Sequence, residues 1–295
     1  MMLYKQIHDP FYPSDERDVI ASSLITSWNR QMGKAIGSVM SLANSAGAPD
    51  SSVIDKLDNI FHANLSGKAL NASIESKLSR ANEDVFLRAG RESEAEKASG
   101  GRTVRTKKDG DMIIVIDDIS EEDAIKILAD QLTITSGHFY DRELSQSLKD
   151  EMLRWFEGEL TRDELVEKMK KLTNERLTGE KILSTSYFER LANLHVQKVR
   201  NIAKYSRGKA LGGSEYGLVN PMDNRTSSVC RAIVGRNERY PLSSLDNVVK
   251  KVLAAETVEE QIEANPFWKT PDEDRAKLPP FHYGDCRTTI RIYYL

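Results

Sequence analysis

EKILSTSYFERLANLHVQKVRNIAKYSRGKA, residues 180–210, is the stretch that decides the fold class. Its apolar residues Ile182, Leu183, Tyr187, Leu191, Leu194 and Ile202 recur near the helical period, without Gly or Pro until Gly208. That spacing predicts one long amphipathic helix from about Glu180 to Ala210. His195 lies on the apolar side with no second ligand at helical spacing, so it reads as a packed histidine. The helix also carries Arg190, Lys198, Arg200, Lys204, Arg207 and Lys209, and its C-terminal half is basic. Cations there complement the helix dipole. They also form a candidate phosphate or acidic-partner surface, with Arg200, Lys204, Arg207 and Lys209 as its contacts.

Upstream the same period returns. Ser14-Asp15-Glu16 opens a helix carrying Val19, Ile20, Leu24, Trp28, Ile36, Val39 and Met40. Asn44 to Pro49 ends it with turn residues. A second helix bears Ile54, Leu57, Ile60 and Phe61. A third runs from about Leu65 to Arg88 with Leu70, Ile74, Leu78, Val85 and Phe86. Arg91–Gly101 is polar, ends in Ser99-Gly100-Gly101, and reads as a linker. Thr103–Thr106 and Met112–Ile116 flank an Asp109-Gly110 pair, a hairpin signal because Gly accepts positive φ. Its Arg105, Lys107 and Lys108 form a second basic contact candidate. Ser120-Glu121-Glu122-Asp123 resembles a capping box, with Ile125, Leu128, Ala129 and Leu132 continuing the helix. The acids Asp117-Asp118 belong to that helix entry. A further helix covers roughly Phe139 to Glu157, and Thr161-Arg162-Asp163-Glu164 caps a short one.

The chain has 295 residues, 42 Lys+Arg against 45 Asp+Glu, and two cysteines. The length suggests about two domains. The composition is too poor in Gly and Pro for a fibrous or low-complexity chain. The longest aliphatic run, Ile113–Ile116, falls far short of the ~20 residues of a membrane helix. Met1–Pro13 shows no apolar secretory core. Two cysteines form no disulfide framework, which points to a reducing compartment. Charge balance argues against bulk capture of nucleic acid and leaves local basic patches. The fold class expected is mainly α, with helical N-terminal and central regions, a β-hairpin, and a small α+β C-terminal domain. The boundaries fall at 1–100, 101–212 and 213–295.

Beyond Gly212-Gly213 the character changes. Tyr216–Asn220 is β-prone, and Asp223-Asn224-Arg225-Thr226-Ser227-Ser228-Val229-Cys230-Arg231 follows. Leu245, Val248, Val249, Val252 and Leu253 mark a helical insert. Then comes Pro279-Pro280-Phe281-His282-Tyr283-Gly284-Asp285-Cys286-Arg287-Thr288-Thr289. Three readings stay open. Cys230, His282 and Cys286 could hold zinc, with Asp223 or water as the fourth ligand. Cys230 and Cys286 could pair, although a reducing compartment disfavours it. Or Cys and His are core residues, with Arg225 or Arg287 held by Asp223. Cys230 and His282 as nucleophile and base lack a recognisable oxyanion loop and orienting residue. No phosphate-binding loop or nucleotide fingerprint appears.

A strand, the first element ending in Cys-Arg, a variable insert, the second element ending in Cys-Arg-x-Thr, and a final strand together resemble the C-terminal domain of tailed-phage minor head proteins. That is the head morphogenesis family of the phage Mu F type. The resemblance covers about Glu180 to Leu295. It rests on Asp223, Arg225, Cys230, Arg231, His282, Cys286 and Arg287. Where many relatives carry a second Cys, this chain has Ser227. The departure removes the natural fourth metal ligand and favours packing over zinc. The resemblance implies a structural virion protein with no enzymatic activity and no required cofactor. It would be assembled in the host cytoplasm and placed inside the capsid near the portal vertex. Portal protein and other head proteins would be its partners, packaged DNA a further contact, and a membrane none. The alternative is a metal-dependent enzyme or toxin-like domain using the C-terminal Cys/His cluster.

Overall fold

The computed structural model describes residues 14–45, 51–100, 113–139, 145–161, 163–165, 167–168, 171, 185–224, 226, 228–264 and 288–294. The protein is mainly α with two small antiparallel sheets. Helices α1 (Ser14–Ser45), α2 (Ser51–Leu65) and α3 (Gly67–Ser99) come first. Strands β1 (Ile114–Ile116) and β2 (Ile119–Ser120) precede α4 (Glu121–Phe139), α5 (Ser145–Phe156) and the long α6 (Thr185–Ala210). The C-terminal part runs β3 (Glu215–Val219), α7 (Ser228–Gly235), β4 (Arg239–Pro241), a 3-10 turn (Leu242–Leu245), α8 (Asp246–Ala254), α9 (Val258–Glu263) and β5 (Thr289–Tyr293).

The chain divides into two compact units. One comprises Met1–Val19, Leu78–Gln131 and Ala192–Leu295; the other comprises Ile20–Lys77 and Leu132–Leu191. In the second, the expected stripes are the core: Leu24, Trp28, Val39, Leu57, Phe61 and Leu70 are buried. The Trp28 ring meets Phe188 of α6 at 6.3 Å, tilted by 52°. Gln31 Nε2 donates to the Ala69 carbonyl (3.1 Å), and α2 packs on α5. Thr161 and Glu164 form the expected reciprocal capping box: the Thr161 amide donates to Glu164 Oε2 (2.7 Å) and the Glu164 amide to Thr161 Oγ1 (3.3 Å).

In the first unit two expectations change. Arg91–Ser99 is not a linker but the last turns of α3. Its polar residues face partners more than 100 positions away, which composition alone cannot reveal. Asp117-Asp118 are not the helix entry; they are the turn joining β1 to β2. Asp117 sits at φ 51°, a conformation short polar side chains tolerate. Its carboxylate accepts from Lys250 Nζ at 2.7 Å. The expected arm at Thr103–Thr106 and its Asp-Gly turn lie outside the described residues. Ser120 caps α4, accepting the Asp123 amide at 3.1 Å.

The C-terminal sheet has the order β4-β3-β5, antiparallel throughout. Tyr216, Ile290 and Ile292 form its buried face, and Tyr216 and Tyr240 stack at 5.5 Å. The sheet lies hard against the end of α6. That helix stops at Gly212 (φ +81°), with the Gly213 amide on the Gly208 carbonyl (2.8 Å) and the Gly212 amide on that of Lys209 (3.1 Å). A Cβ at Gly213 would stand 2.5 Å from Ile292 Cγ2, and one at Gly208 2.8 Å from Ile292 Cγ1. Only glycine lets the strand approach this closely.

Side chains close the outer edge of β5. Asn201 Oδ1 on α6 accepts the Ile290 amide (3.1 Å) and Thr289 Oγ1 (2.9 Å). Its Nδ2 donates to the Thr288 carbonyl (3.3 Å). Two residues along the strand, Glu96 Oε2 on α3 accepts the Ile292 amide (3.0 Å). Replacing Asn201 by Leu keeps the volume but strips buried strand groups of their partners. We expect a loss of roughly 2–4 kcal/mol, since each orphaned buried group costs about 1–3. Urea unfolding measures it; an unchanged midpoint would show that α6 does not hold the strand.

Candidate functional site

The two halves of the Cys-Arg pattern converge as far as the structure describes them. β3 leads through Asn220 into the Pro221–Thr226 turn, and α7 carries Cys230 back under the start of β5. Cys230 is buried, and Thr288 Oγ1 donates to its Sγ at 3.5 Å. The Asn220 carboxamide lies 2.7 Å from the same hydroxyl. Thr226 Oγ1 donates to the Pro221 carbonyl and stands 3.3 Å from Asp223 Oδ1. Arg231 folds back on the turn, donating to the carbonyls of Asp223 and, at 3.1 Å, Thr226. Its guanidinium thus binds backbone carbonyls and stabilises a loop.

Arg225, His282, Cys286 and Arg287 lie outside the described residues, so the zinc grouping and the Arg–Asp223 pairings are not placed. Among the described residues no three His, Cys, Asp or Glu side chains gather where they could hold a metal ion. Cys230 and Asp223 are the described members of the expected ligand set. The tight contact of Cys230 with Thr288 fits a packing role for that thiol.

The basic half of α6 is where structure and expectation part. Arg200 and Lys204 do not form an open surface. Arg200 donates to both Glu92 oxygens through Nη2 at 2.8 and 2.9 Å, with its side chain only 8% exposed. Lys204, 3% exposed, reaches Glu96 Oε1 at 2.6 Å and Glu92 at 3.6 Å. Both turn inward because α3 presents two acids one turn apart along the neighbouring helix. Lys209 is half-exposed and bonds Asp246 (3.1 and 3.2 Å) and Tyr205 Oη (3.0 Å). Arg207 makes no ion pair among the described residues. Its guanidinium lies over Gly90, where a Cβ would meet Nε at 3.1 Å. Arg105, Lys107 and Lys108 lie outside the described residues.

A third polar cluster sits deeper, and the spacing of apolar residues gave no sign of it beyond His195. His195 is buried, and its Nε2 donates to Asn82 Oδ1 (2.7 Å), while Asn82 Nδ2 donates to the Ile125 carbonyl (3.1 Å). Its Nδ1 is buried without a hydrogen bond. Lys198, one turn on, donates to Gln131 Oε1 (3.0 Å). Gln131 Nε2 caps the C-terminal end of α8 through the carbonyls of Val252 (2.6 Å) and Ala255 (3.0 Å). Burial, reinforced by the neighbouring Lys198 ammonium, holds His195 well below its usual 6.5. Burial pushes Lys198 down to about 8. Tyr205 donates to Asp246 Oδ1 (2.6 Å); burial and that bond hold its phenol protonated. The arrangement locks helices together.

No family model, no curated protein and no solved structure matches the chain. Among the described residues no helix is long and apolar enough to cross a membrane.

The His195 environment sets a pH dependence. With the folded pKa depressed, the unfolded chain binds the proton first, so stability is whole above 6.5 and falls as pH drops below it. The same logic gives Lys198 the opposite end: stability rises with pH between about 8 and 10.5. Between pH 7 and 5 the urea midpoint should fall, and His195→Gln should flatten that fall. Identical slopes in both proteins would refute it.

Proposed function

We propose that this protein is a minor head protein of a tailed phage, acting at the portal vertex inside the capsid. The observation that carries the reading is the convergence of Asn220, Cys230 and Thr288. Cys230 and Thr288 belong to the two spaced segments that resemble the head morphogenesis pattern, and Asn220 ends the β-prone stretch ahead of the first. Residues 58 positions apart meet there, Cys230 on α7 and Thr288 at the entry to β5. This is what the pattern requires if it encodes one small module and not two unrelated loops.

The reading is structural and non-enzymatic. The α+β module is fastened to α6 and α3 by Asn201, Glu96 and two close-packed glycines. Such a block suits a protein that must keep its shape while bound in an assembly. Amphipathic helices of the remaining chain suit packing against the helices of a portal ring. Within the basic flank, Lys209, half-exposed and paired with Asp246, is the described cation open to an acidic head protein or packaged DNA, while Arg207 packs over Gly90 with its Nε buried. Arg200 and Lys204 belong to the interior. Cys230 acts as a packed thiol, and the reading needs no metal.

Co-expression with the portal protein of the same genome tests the proposal. The two should elute together in size-exclusion chromatography at a fixed ratio that survives dilution. A chain that always elutes apart from assembled portal would overturn it.

A further inference from the structure

The outer face of the C-terminal sheet carries a charged and aromatic arrangement with no part in the packing described so far. Gly217 of β3 pairs with Arg239 of β4 on one side and with Arg291 of β5 on the other. The three share one row, so both guanidiniums spring from the same face, on Cα atoms roughly 10 Å apart at two strand spacings. In the next row Glu215 pairs with Tyr293, again on that face. Tyr293 reaches back across Gly217: a Cβ there would meet Tyr293 Cε2 at 3.0 Å. The Arg239 guanidinium carbon stands 3.9 Å from the Tyr293 ring centroid, and that of Arg291 5.8 Å.

Arg239 and Arg291 are both exposed. Among the described residues the one carboxylate that meets Arg239 on this face is Glu215, at 3.7 Å and itself partly exposed. Arg291 has no carboxylate partner among the described residues. Glu238 points the other way, accepting the Tyr240 hydroxyl. Filling the space above Gly217 explains the tyrosine ring. It does not explain two solvent-facing guanidiniums set beside it.

We propose that this face binds single-stranded nucleic acid. Guanidinium is planar and bidentate, and matches phosphate. Unstacked bases settle on arginine planes and aromatic rings, on sheets above all. Here Arg291 and Arg239 take backbone phosphates, and the Arg239–Tyr293 shelf takes a base. A run of acidic side chains alone would satisfy the charges but brings no ring to the shelf. The proposal does not depend on the capsid reading; portal co-elution and strand binding succeed or fail separately.

Fluorescence anisotropy of a short labelled single-stranded DNA, titrated with the full chain at low and rising salt, tests it. Replacing both arginines with Ala (R239A/R291A) should weaken binding at least about tenfold. It should also make the salt slope shallower by about 1.4, from two phosphates at ~0.7 each. R239K keeps the charge and loses the plane, so it should keep the slope and bind several-fold more weakly. Both arginines are exposed, and an unchanged urea midpoint verifies that the variants fold. No binding at low salt, undiminished binding by R239A/R291A, or displacement by polyglutamate as effective as by unlabelled strand would each overturn the proposal.

Discussion

Strand β5 has two edges, and among the described residues only one of them is paired by another strand. β3 takes the inner edge. On the outer edge the amides of Ile290 and Ile292 would be buried donors without acceptors, a costly state. Asn201 and Glu96 supply the acceptors from two different helices. A carboxamide that accepts from one strand residue and donates to the carbonyl of another imitates a strand edge. Much else in this unit follows from that substitution of side chains for backbone. α6 must lie close enough to reach the strand, hence Gly208 and Gly213 beneath Ile292. α3 must run on to Ser99, hence a long polar helix end where a linker would otherwise suffice.

Glu96 can take this role because its charge is answered on its other oxygen. Lys204 lies at 2.6 Å from Oε1 while Oε2 faces the strand. Burying a lone carboxylate here would be prohibitive, and a pair with its remaining lone pairs satisfied is tolerable. Glu92 and Arg200 repeat the pairing one turn back with a bidentate contact. Tyr294 extends it past the strand, donating to the Ser93 carbonyl (3.0 Å) while Lys97 stands 5.7 Å above its ring. Lys97 also donates to the Leu211 carbonyl at the end of α6 (2.8 Å). Three segments far apart in sequence thus share one polar seam.

What could be read from the chain follows from how local each signal is. Helix starts at Ser14 and Ser120, the stop at Gly212, and the stripes of α1, α3 and α8 are set by residues within a turn or two of each other. All are visible without a structure. The mainly α class with a small C-terminal sheet was legible for that reason. The same locality misled at Arg91–Ser99. A window rich in Glu, Ser and Arg looks solvated unless its partners on α6 and β5 are known. It misled again at Arg200 and Lys204, which helical spacing places together but cannot orient. Asn201 gives no local signal, because a lone Asn in an apolar stripe reads as an interruption. Its meaning depends on a strand 88 residues away. Arg239, Arg291 and Tyr293 share a face only through the register of three strands, and no linear motif encodes that.

This inward turning of charge changes what the net value of −3 means. Two of the six cations on α6 that suggested a basic surface are spent inside the unit against Glu92 and Glu96. A third, Lys198, serves Gln131 and through it the end of α8. A charge count along the chain therefore misjudges the surface in both directions. It overstates the long helix, where of Arg200, Lys204, Arg207 and Lys209 only Lys209 is exposed, and it is paired with Asp246. It understates the sheet, where arginines from β4 and β5 meet over a glycine. Recognition by this protein, whatever its partner, is then better sought on the face where cations lie open than on the helix where they are most numerous.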